Sequence, residues 1–192
     1  MPHEVPLSSL VAIIPGSTEP GLAESGYPLL SPSELDESGQ LALSPRRYVP
    51  QTPAAERARL QVNDILLPSK GNRWTATLVG TELVSMVAST GFFILRVETQ
   101  AVLPAFLRAY LNHPVGQQQI RAQVNASTTV AVLNQASVRA LKIPVLPLAT
   151  QHHLVTLYAG WTQQQRLVAA LRDQYELGYH HAFALGVAQA SS

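Results

Sequence analysis

The sequence predicts a mixed α/β fold: a domain of short strands with packed helices, followed by a long C-terminal helix suited to coiled-coil-type dimerisation. Three observations predict it. Between Leu10 and Val97 lie several short apolar or alternating runs, each ended by Pro, Gly, Ser or Asn. Pro104 and Pro114 each stand at the head of a stretch of helical length. From Leu154 to Tyr175 apolar residues recur three and four apart. The expected division is 1–148 as the strand-and-helix domain and 149–192 as the long helix and tail.

The elements follow in order. Residues 1–30 are rich in Pro, Gly and Ser, with one apolar run, Leu10 to Ile14, that reads as a strand ended by Pro15-Gly16. Tyr27 to Leu30 is a second short strand, and Ser31-Pro32-Ser33-Glu34 a turn or helix start. A short polar helix is expected around Ala54 to Arg59. Asp64 to Pro68 reads as a buried strand, with a turn at Ser69-Lys70-Gly71-Asn72. Trp74 to Val79 alternates Thr with apolar residues, as a half-buried strand does. Val84 to Ala88 and Phe92 to Val97 are two more strands, parted by Ser89-Thr90-Gly91.

Pro104 opens a helix whose apolar face is Phe106, Leu107, Tyr110 and Leu111, and Pro114 opens another through about Val124. Asn125 to Thr129 is a polar loop, and Asn134 caps a short helix ending near Leu141. Ile143 to Leu148 is extended and proline-punctuated. Thr150 caps the last helix, which is expected to run to about Gly178. Its seam is Leu154, Leu157, Trp161, Gln164, Val168, Leu171 and Tyr175. Periodicity leaves two readings open: packing on a second helix, or docking on the chain's own domain.

Composition narrows the function. Hydrophobic residues make up 46%, enough for a packed core, whereas charged residues are 13% against a usual value of roughly 25%. There is no cysteine, so disulfides and thiolate metal sites are excluded. The start has no basic segment followed by an apolar core, and no apolar run approaches the ~20 residues of a membrane span, so a cytoplasmic protein without a membrane partner is expected. Net charge is +1 but uneven: Glu4, Glu19, Glu24, Glu34, Asp36 and Glu37 precede any Lys or Arg. From Thr99 to Arg172 the charges are Arg108, Arg121, Arg139, Lys142, Arg166 and Arg172, all positive, which suits a polyanion or a plain solvated surface.

Catalytic constellations are missing. The sequence has no phosphate loop, no dinucleotide Gly-x-Gly-x-x-Gly and no Gly-x-Ser-x-Gly elbow. A nuclease centre around Asp64 and Lys70 would need a carboxylate where Pro68 stands. His152-His153 and His180-His181 are adjacent pairs, which point about 100° apart on a helix and make no single metal site. Ser69-Lys70 is rejected as a nucleophile pair because direct neighbours rarely face each other.

Recognition chemistry remains. Lys70, Asn72 and Arg73 occupy a turn that can push donors into a groove, Arg toward guanine and Asn toward adenine, or can be a solvated hairpin tip. Arg46, Arg47 and Tyr48 form a basic-aromatic cluster suited to phosphate. Ser127, Thr128 and Thr129 offer hydroxyls to phosphates or base edges, or simply fill a loop.

Taken in order, these segments resemble the target recognition domain of type I restriction–modification specificity subunits, in a single-domain, half-subunit form. The resemblance starts at Gly26-Tyr27-Pro28-Leu29-Leu30-Ser31-Pro32-Ser33-Glu34-Leu35. It continues through Leu60-x-x-x-Asp64-Ile65-Leu66-Leu67-x-Ser69-x-Gly71, where Asn63 replaces the family's usual glycine. Further on come Leu103-Pro104-x-Phe106-Leu107-x-x-Tyr110-Leu111-Asn112, Gly116-Gln117 and Ile120. Last are Leu133-Asn134, Leu141-x-Ile143-Pro144-x-Leu146-Pro147-Leu148-x-x-Gln151 and Leu154-Val155, with Leu146 where a proline is common.

The resemblance implies a non-catalytic specificity subunit that binds double-stranded DNA. It implies that a DNA adenine methyltransferase subunit is directed to a bipartite site, with a restriction or motor subunit as a further partner. No cofactor is expected on this chain; S-adenosylmethionine belongs to the partner methyltransferase. Family members carry two such domains separated by two long antiparallel helices, and this chain has one of each. A homodimer through the seam would complete the helix pair and give a palindromic target. The alternative is an interaction or regulatory protein that binds a methyltransferase through its long helix without reading DNA.

Overall fold

In the computed structural model the chain is described over residues 3–22, 25–42, 47–124 and 131–190. It divides into two compact units, 1–152 and 153–192. The first unit opens with β1 (His3–Pro6), a 3-10 turn at Leu7–Ser9, and β2 (Val11–Pro15). Then come β3 (Tyr27–Leu30), a single turn at Pro32–Glu34, β4 (Tyr48–Val49) and α1 (Pro53–Arg57). Strands β5 (Ile65–Pro68), β6 (Thr77–Leu78), β7 (Val87–Ala88) and β8 (Phe92–Val97) follow. Helices α2 (Pro104–Asn112), α3 (Pro114–Gln123) and α4 (Gln135–Ala140) precede β9 (Lys142–Val145) and the long α5 (Leu148–Ala190).

The mixed α/β class and the long last helix are as the sequence predicts. The main sheet has the order β2-β8-β5-β6, with β8 antiparallel to both neighbours it pairs. Ile65, Leu66, Leu67, Ile94 and Leu95 are fully buried in its centre, which explains their apolar runs. Burial of each such side chain contributes roughly 1.5–3 kcal/mol. A second sheet, β4-β3-β7, sets β3 parallel to β7, and Leu30, Leu60, Leu66, Val87, Phe92 and Ile94 share one core cluster.

Four expectations change. Trp74 to Val79 is a strand only at Thr77–Leu78. Upstream, side-chain amides replace the ladder: Asn112 brackets Ala76, accepting its N–H at 2.7 Å and donating to its carbonyl at 2.8 Å. Gln117 Nε2 donates to the Trp74 carbonyl at 2.9 Å. Val84 to Ala88 shortens to Val87–Ala88, because Ser85 takes a left-handed φ of 78°, which no strand accommodates. The segment Ile143 to Leu148 is strand only through Val145; it pairs with β1, which the sequence pattern did not reveal. Finally, α5 starts at Leu148 and continues past Gly178 to Ala190.

The helical pair forms as its caps dictate. His113 Nδ1 accepts the Val115 N–H at 3.4 Å, and Pro114 sits in the first turn of α3. Gly116 permits the close turn between α2 and α3, since a Cβ there would lie 2.2 Å from the Tyr110 carbonyl oxygen. Asn134 caps α4, its Oδ1 accepting the Ser137 N–H at 2.8 Å. Gln151 is 0% exposed and ties the first turn of α5 into this unit. Its Oε1 accepts the Leu103 N–H, and its Nε2 donates to the carbonyls of Ala101 and Leu146, all at 2.8 Å.

The second unit is the remainder of α5. Its large apolar side chains are exposed, among them Leu154, Leu157, Trp161 at 54%, Val168, Leu171 and Tyr175 at 78%. Gln164 lies exposed among them. Tyr158 and Trp161 pack ring to ring at 5.9 Å. Among the described residues, no helix is long and apolar enough to cross a membrane.

Candidate nucleic-acid interface

The turn after β5 is built by three constraints. Pro68 has no N–H and ends the ladder. Ser69 is fixed from both sides: its N–H donates to the Gly91 carbonyl and its Oγ to the Thr90 carbonyl, each at 2.8 Å. Gly71 has φ +111°, a conformation that L side chains rarely adopt. The segment after residue 130 secures the turn: Gly71 N–H donates to the Ala131 carbonyl at 2.9 Å, and Leu133 N–H to the Ser69 carbonyl at 2.9 Å. Lys70, Asn72 and Arg73 are thereby left exposed, whereas Trp74 turns back into the core. The Ser69 hydroxyl proton is thus directed at the Thr90 carbonyl.

Facing this turn is a wall that sequence reasoning missed. It runs from Ser31 through Gln40. Ser31 N–H donates to the Glu34 carboxylate in a short hydrogen bond, closing the turn at Pro32–Glu34. A second tight turn follows. Asp36 Oδ1 accepts from the Ser38 N–H, the Ser38 hydroxyl and the Gln40 N–H, each at 2.8 Å. Gly39 has φ +78°, and a Cβ there would stand 2.2 Å from Thr77 Oγ1. Between wall and turn lies an open cleft of about 170 Å³. Ser33, Asp36, Lys70, Asn72, Arg73 and Thr75 line it together with the apolar groups of Leu35, Pro68 and Phe92.

Of the sequence-derived candidates, Lys70, Asn72 and Arg73 come together on the cleft. Arg47 does not line it: its guanidinium donates to Ser31 Oγ and pairs with Glu34 at 3.5 Å, so it braces the wall. Tyr48 is half-buried on β4, where it pairs with Pro28. Arg46, Ser127, Thr128 and Thr129 lie outside the described residues. The signal for the wall was slight: the spacing Asp36-x-Ser38-Gly39 is that of an Asx turn, but nothing in sequence says which loop it faces.

Two charged groups stand elsewhere. Arg96 binds Asp64 through both Nε and Nη2 at 2.8 Å, and this pairing raises the Arg96 pKa further above its ordinary value despite partial burial. Tyr27 and Glu56 share a short hydrogen bond that raises the tyrosine pKa and lowers that of the carboxyl, with Arg59 stacked 5.0 Å over the Tyr27 ring. Among the described residues no group of three or more His, Cys, Asp or Glu is placed to hold a metal ion.

No family model and no curated protein matches the sequence. Solved structures do. A chain from a structure on complex assembly and conformational transition of the type I R-M system superposes with TM-score 0.69 at 20% identity, covering 90% of this chain and 45% of that one. The HsdS subunit from Thermoanaerobacter tengcongensis gives TM-score 0.66 at 20% identity, with 90% and 45% covered. The type I restriction-modification S subunit from M. genitalium gives 0.59 at 14% identity, with 88% and 41% covered. The chain spans a little under half the length of each. Over about nine-tenths of its own length, then, it has the fold of type I restriction-modification S subunits.

Proposed function

We propose that the chain is a sequence-specific DNA-binding specificity subunit that does no chemistry itself and directs a DNA adenine methyltransferase to a bipartite site. The observation that carries the reading is the cleft that gathers Lys70, Asn72 and Arg73 on a fold shared with S subunits. Lys and Arg supply phosphate contacts, and Asn and Arg supply bidentate base contacts. Residues 1–148 form the recognition domain in this reading, and 149–192 the spacer helix. The exposed seam from Leu154 to Tyr175 joins a second copy of the chain, which completes the helix pair and makes the target palindromic. The methyltransferase brings S-adenosylmethionine, a restriction subunit is a further partner, and the assembly works in the cytoplasm.

The test is selection from a randomised duplex library by electrophoretic mobility shift, with and without the partner methyltransferase. An enriched bipartite sequence is expected. No enrichment under either condition overturns the proposal.

A second reading has an observation in its favour: Glu34 pairs with Arg47, and Asp36 places a carboxylate on the cleft. Both reduce attraction for phosphate, as expected of a protein that binds a methyltransferase through its helix without reading DNA. Replacing Lys70 and Arg73 by Ala separates the two. Weaker DNA binding with methyltransferase binding intact supports the specificity subunit; DNA binding unchanged supports the regulator.

A further inference from the structure

Among the described residues, every asparagine but one has work within the fold. Asn63 takes a left-handed φ of 70°, Asn112 brackets Ala76, and Asn134 caps α4. Asn72 does none of these things. Its φ is not in the left-handed region, and its side chain forms no hydrogen bond among the described residues. The Asx turn that commonly explains an asparagine at such a place is therefore missing. The folded chain gives no reason of its own for an amide here.

Asn72 is nevertheless held in place through the backbone on either side. One residue earlier, the Gly71 N–H donates to the Ala131 carbonyl at 2.9 Å. Two residues later Trp74 is buried, and its carbonyl accepts from Gln117 Nε2 at 2.9 Å. A Cβ at Gly71 would meet no atom within 4 Å, so that side of the turn is open. The result is a short amide on a fixed, exposed turn, lining the cleft between the longer cationic side chains of Lys70 and Arg73. That order of lengths suits a groove. Long cations reach phosphates on either side, while a short amide between them meets a base edge.

An amide offers a donor and an acceptor side by side. In the major groove the base edge that matches both at once is adenine, whose N7 accepts and whose N6 amino group donates. We propose that Asn72 is the specificity-determining residue of this turn, selecting adenine at one position of the bound site through both atoms together. The inference rests on the DNA-reading proposal and divides its labour: Lys70 and Arg73 hold the duplex by phosphate, and Asn72 reads a base.

The experiment repeats the duplex selection with Asn72→Ala and Asn72→Leu, the second keeping the size of the side chain without its hydrogen bonds. Because Asn72 is exposed, both variants should melt with wild type. Wild type is expected to select adenine at one position where both variants lose about tenfold in selectivity, with the other positions unchanged. Duplexes carrying 7-deazaadenine at that position lack N7, and those carrying purine lack the amino group. Each should lower wild-type affinity about tenfold and leave the affinity of the variants as it was. Uniformly weaker binding with the motif kept would make Asn72 a phosphate contact and overturn the inference. A motif without adenine, variants that bind and select as wild type does, or wild type tolerant of both analogues at every adenine would overturn it equally. If wild type selects no motif, the DNA-reading proposal fails first and takes this inference with it.

Discussion

Asp64 grips Arg96 at two points across the β5–β8 pair, one carboxylate oxygen on Nε and the other on Nη2, each at 2.8 Å. Asp64 is 1% exposed and the Arg96 side chain 27%, so the arginine keeps some water while the carboxylate has none. Asp64→Ala would strip the partner from a partly buried cation and free the Gln61 N–H that the carboxylate also accepts. A loss of about 3 kcal/mol is expected, read from urea unfolding midpoints. Asp64→Asn should cost less, since it keeps acceptors in place.

Gln151 is the corresponding test for the first turn of α5. Its replacement by Ala leaves the Leu103 N–H without its acceptor and the Ala101 and Leu146 carbonyls without their donor. The expected loss is about 2–3 kcal/mol in thermal or urea unfolding of the whole chain.

The two cleft glycines should respond differently. Gly39→Ala combines a left-handed φ with a Cβ placed 2.2 Å from Thr77 Oγ1, whereas a Cβ at Gly71 meets nothing within 4 Å. Gly39→Ala should therefore cost about 2 kcal/mol or more, and Gly71→Ala only the backbone strain of about 1 kcal/mol. Paired melting curves would decide; equal losses would show that the Gly39 turn yields.

Acid sensitivity should trace in part to Glu56. The hydrogen bond from Tyr27, then that from Arg59, holds its carboxyl below the unfolded value of 4.5. Stability from this group is complete above that value and is lost as pH falls through the lower folded one. Glu56→Gln should therefore flatten the acid limb of the stability curve below about pH 4.5, with no change in its alkaline limb beyond that due to Tyr27.

If the cleft binds DNA as proposed, Lys70→Ala with Arg73→Ala should lower the log–log salt slope of that binding by about 1.8, or about 0.9 for each phosphate no longer neutralised.

What could be read from sequence followed from how local each cause was. Ile65–Pro68 and Phe92–Val97 are strands because nearly every residue is apolar and buried, and that run is visible by itself. Pro104, Pro114 and Asn134 announced their helices through first-turn chemistry. By contrast, β1 carries little apolar signal and exists through its pairing with β9, far along the chain. The stretch from Trp74 to Ala76 alternates like a strand, but Asn112 and Gln117 supply its hydrogen bonds from helices. For the site, the Lys70 turn was legible from its glycine and its exposed donors. The Asp36 wall was not, because a turn's own residues do not say what lies across from it. Arg47 had the right chemistry for phosphate, and only the fold reveals Glu34 beside it.

The pairing of β1 with β9 sets His3 opposite Val145 and Pro6 opposite Lys142. The strand that opens the first unit thus runs beside the last strand of that unit. A module with adjoining entry and exit is topologically portable: it can be spliced into a longer polypeptide, or repeated after a spacer, without threading any segment through its interior. The same adjacency makes circular permutation feasible, with a short linker bridging the β1–β9 edge and new ends opened in an exposed loop. Chains about twice this length could therefore arise by joining two such modules.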